Sequence, residues 1–112
     1  MRSVRNLSAL LSVCLFTSVA WAAEYEVGQQ NKTFVKDGAR VENLTVKKGD
    51  IVRFRNMDPF FHNVFSLSEI KTFDLGSYPK DQFKMVIFDT VGTVEVECAI
   101  HPQMHLMIEV SK

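Results

Sequence analysis

Much of the chain alternates apolar and polar residues with a period of two, which is the pattern of β-strands that have one buried face. In one such segment, Val52 and Phe54 alternate with Arg53 and Arg55. Strands are predicted on this basis over the segments 44–46, 51–56, 62–66, 83–88, 93–98 and 106–110. No stretch shows sustained helical spacing, although one helical turn within 67–71 is compatible with the pattern. The predicted fold class is therefore all-β, an antiparallel β-sandwich.

Turn residues and strand parity add detail to this prediction. Lys47-Lys48-Gly49-Asp50 forms a short turn, which predicts that 44–46 and 51–56 pair as a hairpin. In segment 93–98 the parity places Cys98 on the face of the valines. In the closing strand the same parity places Met104 with the apolar residues and His105 on the opposite face. Two sulfur atoms are therefore expected to face the interior.

The first 22 residues have the features of a secretory signal peptide. Two arginines precede an apolar run from Leu7 to Ala20, and Ala20-Trp21-Ala22 fits a small-x-small cleavage site. The run is shorter than the roughly 20 apolar residues that a membrane-spanning helix needs, which argues against stable membrane insertion. Cys14 is a poor lipoprotein acceptor because the bulky Val13 precedes it. We expect residues 1–22 to be removed and residues 23–112 to form one exported, periplasmic domain.

The size and charge of this domain exclude several classes of function. About 90 residues remain after cleavage, enough for one core but not for a multidomain machine. The mature chain keeps 11 basic and 13 acidic residues, a net charge of −2. Because no basic excess is available to neutralise phosphates, nucleic acid is not an expected partner.

The cysteine count provides the first functional indication. Exported proteins usually hold their cysteines in disulfide pairs, but Cys98 is the only cysteine left once Cys14 is removed. Cys98 is therefore a free thiol, an intermolecular link or a metal ligand.

The residues around Cys98 favour the metal ligand. Cys98, His101 and Met104 follow one another with the spacing C-x2-H-x2-M, and a sandwich can bring His62 beside them. Each residue alone is more often part of an ordinary core. Together, two imidazoles and a thiolate with a weak axial thioether suit copper, since soft sulfur stabilises Cu(I) and imidazole accommodates Cu(II). Metal binding would also protect the unpaired thiol from oxidation.

These motifs resemble those of the cupredoxins, the small blue copper proteins of the plastocyanin, pseudoazurin and amicyanin type. The resemblance rests on His62-Asn63 and on the C-x2-H-x2-M run, and it covers nearly the whole mature chain. It implies a Greek-key sandwich with one copper ion, in which His62, Cys98 and His101 are strong ligands and Met104 is the weak axial one. It also implies that Asn63 ties the two ligand loops together. The family often has proline before the second histidine, whereas this chain has Ile100 there.

The function implied is a periplasmic electron carrier, not an enzyme, whose copper cycles between Cu(I) and Cu(II). Such a protein would be a monomer that meets a redox donor protein and an acceptor protein only transiently. Transfer is expected through the edge of His101, with Pro102, Phe60 and Phe61 as an apolar docking patch, although the phenylalanines could instead belong to the core. The alternative is a periplasmic protein that buffers or delivers copper. A metal-free binding module and a thiol enzyme using Cys98 are further readings, the latter disfavoured because so small a chain offers no evident substrate cleft.

Overall fold

A computed structural model describes residues 21–112, and the predicted signal peptide lies outside them except for its last two residues. The described part contains ten strands and no helix. The strands are β1 (Glu24–Gln30), β2 (Thr33–Lys36), β3 (Ala39–Arg40), β4 (Asn43–Lys47), β5 (Asp50–Asn56), β6 (Val64–Ser66), β7 (Phe73–Asp74), β8 (Phe83–Phe88), β9 (Gly92–Cys98) and β10 (His105–Ser111).

The strands form two five-stranded sheets that pack face to face. The first sheet has the order β3-β2-β1-β5-β8, and the second has the order β4-β10-β9-β6-β7. The all-β sandwich is confirmed, but the sheets are mixed and not purely antiparallel. β1 runs parallel to β5, and β4 runs parallel to β10. Strand parity does not contain this information, because it specifies which face is buried and not which neighbour a strand takes.

The predicted hairpin of β4 and β5 is wrong for the same reason. Both strands exist and a tight turn joins them, but β4 belongs to the second sheet and β5 to the first. At this turn Asp50 accepts a hydrogen bond from the amide of Lys47 at 2.7 Å, and the chain crosses from one layer to the other. The connection is therefore a corner of the sandwich.

The predicted inward faces are confirmed by the core. Val52, Phe54, Val94 and Val96 are fully buried, and Cys98 is 3% exposed. The core unites both sheets and consists of Val27, Phe34, Leu44, Val46, Val52, Phe54, Val64, Val86, Phe88, Val94, Val96, Cys98, Met104, Leu106, Ile108 and Val110. The buried core therefore reaches the end of the sandwich at which β9 finishes with Cys98.

Other parts of the chain differ from the expectation. The segment 67–71 is a turn closed by the amide of Lys71 on the carbonyl of Ser68 at 3.1 Å, not a helical turn. The strand expected from residue 62 begins at Val64, which leaves His62 in the preceding loop. Strands β1, β2, β3 and β7 were not anticipated. Within residues 21–112, no helix is long and apolar enough to cross a membrane.

Candidate metal centre

Two loops meet at one end of the sandwich and carry the predicted ligands. The first loop follows β5 and contains His62, and the second joins β9 to β10. β6 pairs with β9 so that Val64 lies opposite Cys98. The amide of Ala99 donates to the carbonyl of Asn63 at 3.0 Å, which continues this pairing beyond the strand end. The register therefore brings His62 to the side of the Cys98 loop.

Three of the four predicted residues converge on one point. Nδ1 of His62 lies 3.1 Å from Nδ1 of His101. The Sγ atom of Cys98 lies 3.8 Å from Nδ1 of His62 and 3.6 Å from Nδ1 of His101. His62 is 1% exposed and His101 is partly exposed. The three atoms thus form a compact triangle that is closed on one side and reaches the surface on the other.

Met104 lies where the second loop returns to β10. Its side chain is 1% exposed and belongs to the core, as its parity predicted. Its backbone amide donates to the carbonyl of His101 at 2.9 Å, which closes the loop between the two residues. Met104 is therefore a buried residue at the end of the second ligand loop.

The triangle of donor atoms fits a single transition-metal ion. Bonds of about 2.0–2.3 Å to nitrogen and sulfur place three donors in a trigonal array about 3.5–3.8 Å apart. The observed separations of 3.1, 3.6 and 3.8 Å are close to this range. Two imidazoles, one thiolate and one thioether form the set that suits copper in both of its common oxidation states. The four residues therefore fit one copper ion.

The His62 ring is held from behind by a buried carboxylate. Its Nε2 lies 2.6 Å from Oδ2 of Asp58, which is only 3% exposed. Burial alone raises the pKa of Asp58, but hydrogen bonds from the Asn31 amide, the His62 ring and the Lys32 amide outweigh this effect, and the pKa lies below 3.8. Because an ionised carboxylate only accepts hydrogen bonds, we assign the ring proton to Nε2. The lone pair of Nδ1 then faces Cys98 and His101.

The second histidine has a different environment. Partial burial lowers the pKa of His101, and unfavourable electrostatic interactions with the neighbouring His62 and Lys32 side chains lower the pKa further. The ring of Phe60 packs against it edge-on, with centroids 5.6 Å apart. The neutral form, which can bind a metal, is therefore favoured in the folded protein.

Asn63 does not act as the resemblance implied. Its side-chain amide donates to Oδ1 of Asp74 at 2.8 Å and not to the Cys98 loop. The connection between the loops is made by its backbone carbonyl, which accepts the Ala99 amide. The predicted tie between the loops exists, but the backbone provides it.

The surface around His101 is apolar. Phe60, Phe61 and Ile100 are all exposed, Phe61 to 60%. Neither phenylalanine belongs to the core, and Pro102 is exposed as well. An apolar patch therefore lies beside the partly exposed His101.

His105 lies away from this site, as its parity predicted. On the outer face of the second sheet its Nε2 lies 2.6 Å from Oε1 of Glu95, and both side chains are nearly half exposed. Glu97 is close to both. This arrangement is a surface hydrogen bond, and it does not reach the three converging donors.

Asp58 is the residue of the site that sequence reasoning missed. An aspartate in a loop is usually exposed to solvent, so the residue type alone does not predict that Asp58 is buried. The available signal was its position four residues before His62, in a loop that also contains Pro59. This spacing allows the carboxylate to reach the ring once the loop folds back on itself.

Solved structures with this architecture are known. A variant of amicyanin in its Cu(I) state is 25% identical and has a TM-score of 0.66, with 84% of this chain and 87% of that chain covered. A second amicyanin variant, a reduced Cu(I) form at pH 4, is 26% identical with the same TM-score of 0.66 and the same coverage of 84% and 87%. The copper-containing nitrite reductase of Thermus scotoductus SA-01 has a TM-score of 0.70 and 19% identity over 89% of this chain, but only 25% of its own chain is covered.

No protein-family model matches the chain, and no curated protein matches it. The similarity to the nitrite reductase shows the fold alone. The two mixed sheets and the converging donors at one end define a cupredoxin fold with a site suited to copper. Among cupredoxins of known structure, the chain is similar to amicyanin over most of both chains.

Proposed function

We propose that the protein is a blue-copper electron carrier that binds one copper ion through His62, Cys98, His101 and Met104. The observation that supports this most is the convergence of two Nδ1 atoms and one thiol sulfur within 3.8 Å of one another. When bound, copper supplies a one-electron couple between Cu(I) and Cu(II). Similarity to amicyanin structures described as Cu(I) forms supports the same assignment.

The residues around the donors favour electron transfer over catalysis. The thiol of Cys98 and the ring of His62 are buried, so no substrate reaches them from solvent. Pairing with Val64 of β6 restrains Cys98 at the end of β9, which is itself held between β10 and β6. A site that keeps its geometry in both oxidation states needs little rearrangement when an electron arrives. No bond is made or broken, and the protein is a carrier rather than an enzyme.

The partly exposed edge of His101 provides the route for the electron. It lies within the apolar patch of Phe60, Phe61, Ile100 and Pro102. Small interfaces suit encounters in which a carrier must leave as readily as it binds. We infer that a donor protein and an acceptor protein dock on this patch in turn, and that the carrier itself is a monomer.

The carrier operates in the periplasm according to this proposal. Residues 1–22 direct export, and residues 23–112 form the mature domain. In an oxidising compartment an unpaired thiol must be protected from oxidation. The burial of Cys98 and its proposed role as a copper ligand both provide this protection.

The test is copper retention during redox cycling. The protein is loaded with one equivalent of Cu(II), then reduced and reoxidised repeatedly in the presence of a chelator. We expect the visible absorption of the oxidised form to return fully in each cycle. Loss of copper to the chelator during the first cycles would identify a delivery protein and contradict the proposal.

The docking patch is tested by the rate of electron self-exchange between oxidised and reduced copies. Phe61→Glu introduces a negative charge into the patch and should slow exchange at low ionic strength. Leu67→Glu is the matched control, because Leu67 is 75% exposed and follows the far end of β6. Equal rates in both variants would show that electrons do not leave through this surface.

A further inference from the structure

The buried carboxylate of Asp58 needs an explanation beyond folding. Transfer of a carboxylate into the interior is costly unless hydrogen bonds or opposite charges compensate for lost water. Among residues 21–112, Asp58 forms no ion pair with a lysine or arginine, and its only charged or titratable partner is His62. Within this part of the chain no lysine or arginine neutralises the Asp58 carboxylate, and its charge lies next to the His62 ring, on the side away from Cys98.

The turn between β1 and β2 fixes the orientation of this carboxylate. The amide of Asn31 donates to Oδ1 at 2.8 Å, and the amide of Lys32 donates to Oδ2 at 3.2 Å. Both residues have positive φ angles, 52° and 58°, which non-glycine residues rarely adopt. This backbone conformation directs two successive amides at the carboxylate. A hairpin that carries no ligand thus supports the loop that does.

Asn56 holds the same loop from the other side. Its Oδ1 accepts the amide of Asp58 at 2.9 Å. Its Nδ2 donates to the carbonyls of Phe60 at 3.0 Å and Tyr78 at 2.9 Å. Asp58 is therefore fixed at both its backbone and its side chain, and little freedom remains for the ring that it contacts.

We propose that Asp58 is a positioning residue that fixes the His62 ring with Nδ1 toward Cys98 and His101, and that its charge favours the oxidised state of the bound copper. The second part rests on the proposed function. A carboxylate behind a metal-binding histidine increases the donor strength of the ring. The additional negative charge stabilises the more positive Cu(II) site relative to Cu(I).

The chain contains a matched carboxylate for comparison. Asp50 is also buried and also accepts two backbone amides, from Ala23 at 2.9 Å and Lys47 at 2.7 Å. It lies at the opposite end of β5 and contacts no imidazole. Asp50→Asn therefore removes a buried charge and weakens a turn without touching the site. It reports the purely structural effect of such a substitution.

The experiment measures copper affinity and reduction potential in Asp58→Asn, Asp50→Asn and the unmodified protein. In Asp58→Asn we expect Cu(II) affinity to fall by about 10–100-fold. At a fixed ambient potential the ratio of reduced to oxidised protein should rise about tenfold, a shift of about 59 mV for one electron. Asp50→Asn should leave both quantities unchanged. A folded, copper-binding Asp58→Asn with an unchanged potential would overturn the role of the charge.

A second measurement needs neither copper nor a variant. In the copper-free protein, nitrogen NMR of the imidazole ring reports which nitrogen carries the proton. We expect the His62 ring to be protonated at Nε2, and an Nδ1-protonated ring would overturn the positioning role even if Asp58→Asn fails to fold. If the unmodified protein bound no copper while this tautomer was observed, the proposed function would fail and the positioning role would stand.

Discussion

The two histidines of the site face the same sulfur atom, with their Nδ1 atoms 3.1 Å apart, but their surroundings differ. His62 is 1% exposed, and its outer nitrogen is bonded to a buried carboxylate. His101 reaches the surface, and within residues 21–112 its Nε2 has no hydrogen-bond partner. His62 is therefore held rigidly inside the protein, whereas His101 is accessible from the solvent. An electron carrier needs both, because a rigid site limits rearrangement and an exposed edge shortens the path to a partner.

The difference follows from the elements that carry each ring. The His62 loop is supported by the β1–β2 turn through Asp58 and by the end of β5 through Asn56. The His101 loop is a short link between β9 and β10, held by two backbone hydrogen bonds, from the Met104 amide to His101 and from the Ala99 amide to Asn63. The loop of the buried His62 is therefore held by more side-chain hydrogen bonds from other elements than the His101 loop.

Cys98 is the proposed ligand that lies next to both histidines, and its loss should have the largest effect. A serine hydroxyl cannot supply the transition from thiolate to copper that gives such sites their colour. We expect Cys98→Ser to abolish the intense visible absorption of the Cu(II) protein, as measured by titration with one equivalent of Cu(II). An intense band in this variant would exclude Cys98 as a ligand.

The difference in access between His62 and His101 is tested by removing each imidazole ring in turn. Loss of a direct ligand should weaken copper binding by more than the roughly 10–100-fold typical of outer-sphere changes, so both His62→Gly and His101→Gly should bind poorly. Added imidazole should restore the visible band in His101→Gly, because the gap opens to solvent. It should not do so in His62→Gly, where the gap is closed. Equal rescue of both variants would contradict the assigned difference in access.

A substitution of Met104 tests its proposed role as the weak axial ligand. Met104→Gln replaces a weak thioether with a stronger oxygen donor, which favours Cu(II). We expect copper to remain bound and the reduction potential to fall, with a shift of about 59 mV for a tenfold change in the redox ratio. Voltammetry of the two proteins gives the comparison. An unchanged potential would mean that Met104 is not the axial ligand.

The pH dependence of stability tests the contribution of Tyr78, whose backbone carbonyl accepts a hydrogen bond from Asn56 beside the His62 loop. Its hydroxyl donates to the carbonyl of Phe54 at 2.7 Å, and burial raises its pKa to about 12. The unfolded tyrosine ionises near pH 10 and the folded one does not, so stability falls as pH rises from 10 to 12. A shift of this size corresponds to roughly 3 kcal/mol at most.

The corresponding variant isolates this contribution. Tyr78→Phe leaves the buried carbonyl of Phe54 without its donor and should lose about 1–3 kcal/mol at neutral pH. Between pH 10 and 12 its stability should fall less steeply than that of the unmodified protein. Denaturant unfolding of the copper-free proteins at several pH values measures both effects. Parallel pH profiles would show that Tyr78 is not the group that titrates.

His105 should show the smallest effect. Its partly exposed contact with Glu95 lies on the outer face, where even a fully charged pair contributes about 1 kcal/mol or less. His105→Gln should leave the absorption spectrum and the potential unchanged while altering stability only slightly. A changed spectrum would place this residue at the metal, against both its parity and its position.

Strand parity predicted much of the site and little of the sheet order. Because side chains alternate along a strand, the positions of Cys98 and Met104 inside and of His105 outside followed from local sequence. The separation of β4 and β5 into different sheets did not, since a tight turn looks alike in a hairpin and in a corner. Asp58 was missed because its burial depends on the β1–β2 turn, which lies 26 residues away in the chain.

The central claim is that His62, Cys98 and His101 bind one copper ion, and a titration with Cu(II) tests it most directly. Absorption and paramagnetic-resonance spectra are recorded as copper is added to the purified protein. We expect an intense visible thiolate band that saturates at one equivalent, together with the spin signal of copper bound to a thiolate. A protein that takes up no copper, or binds it without that band, would contradict the account.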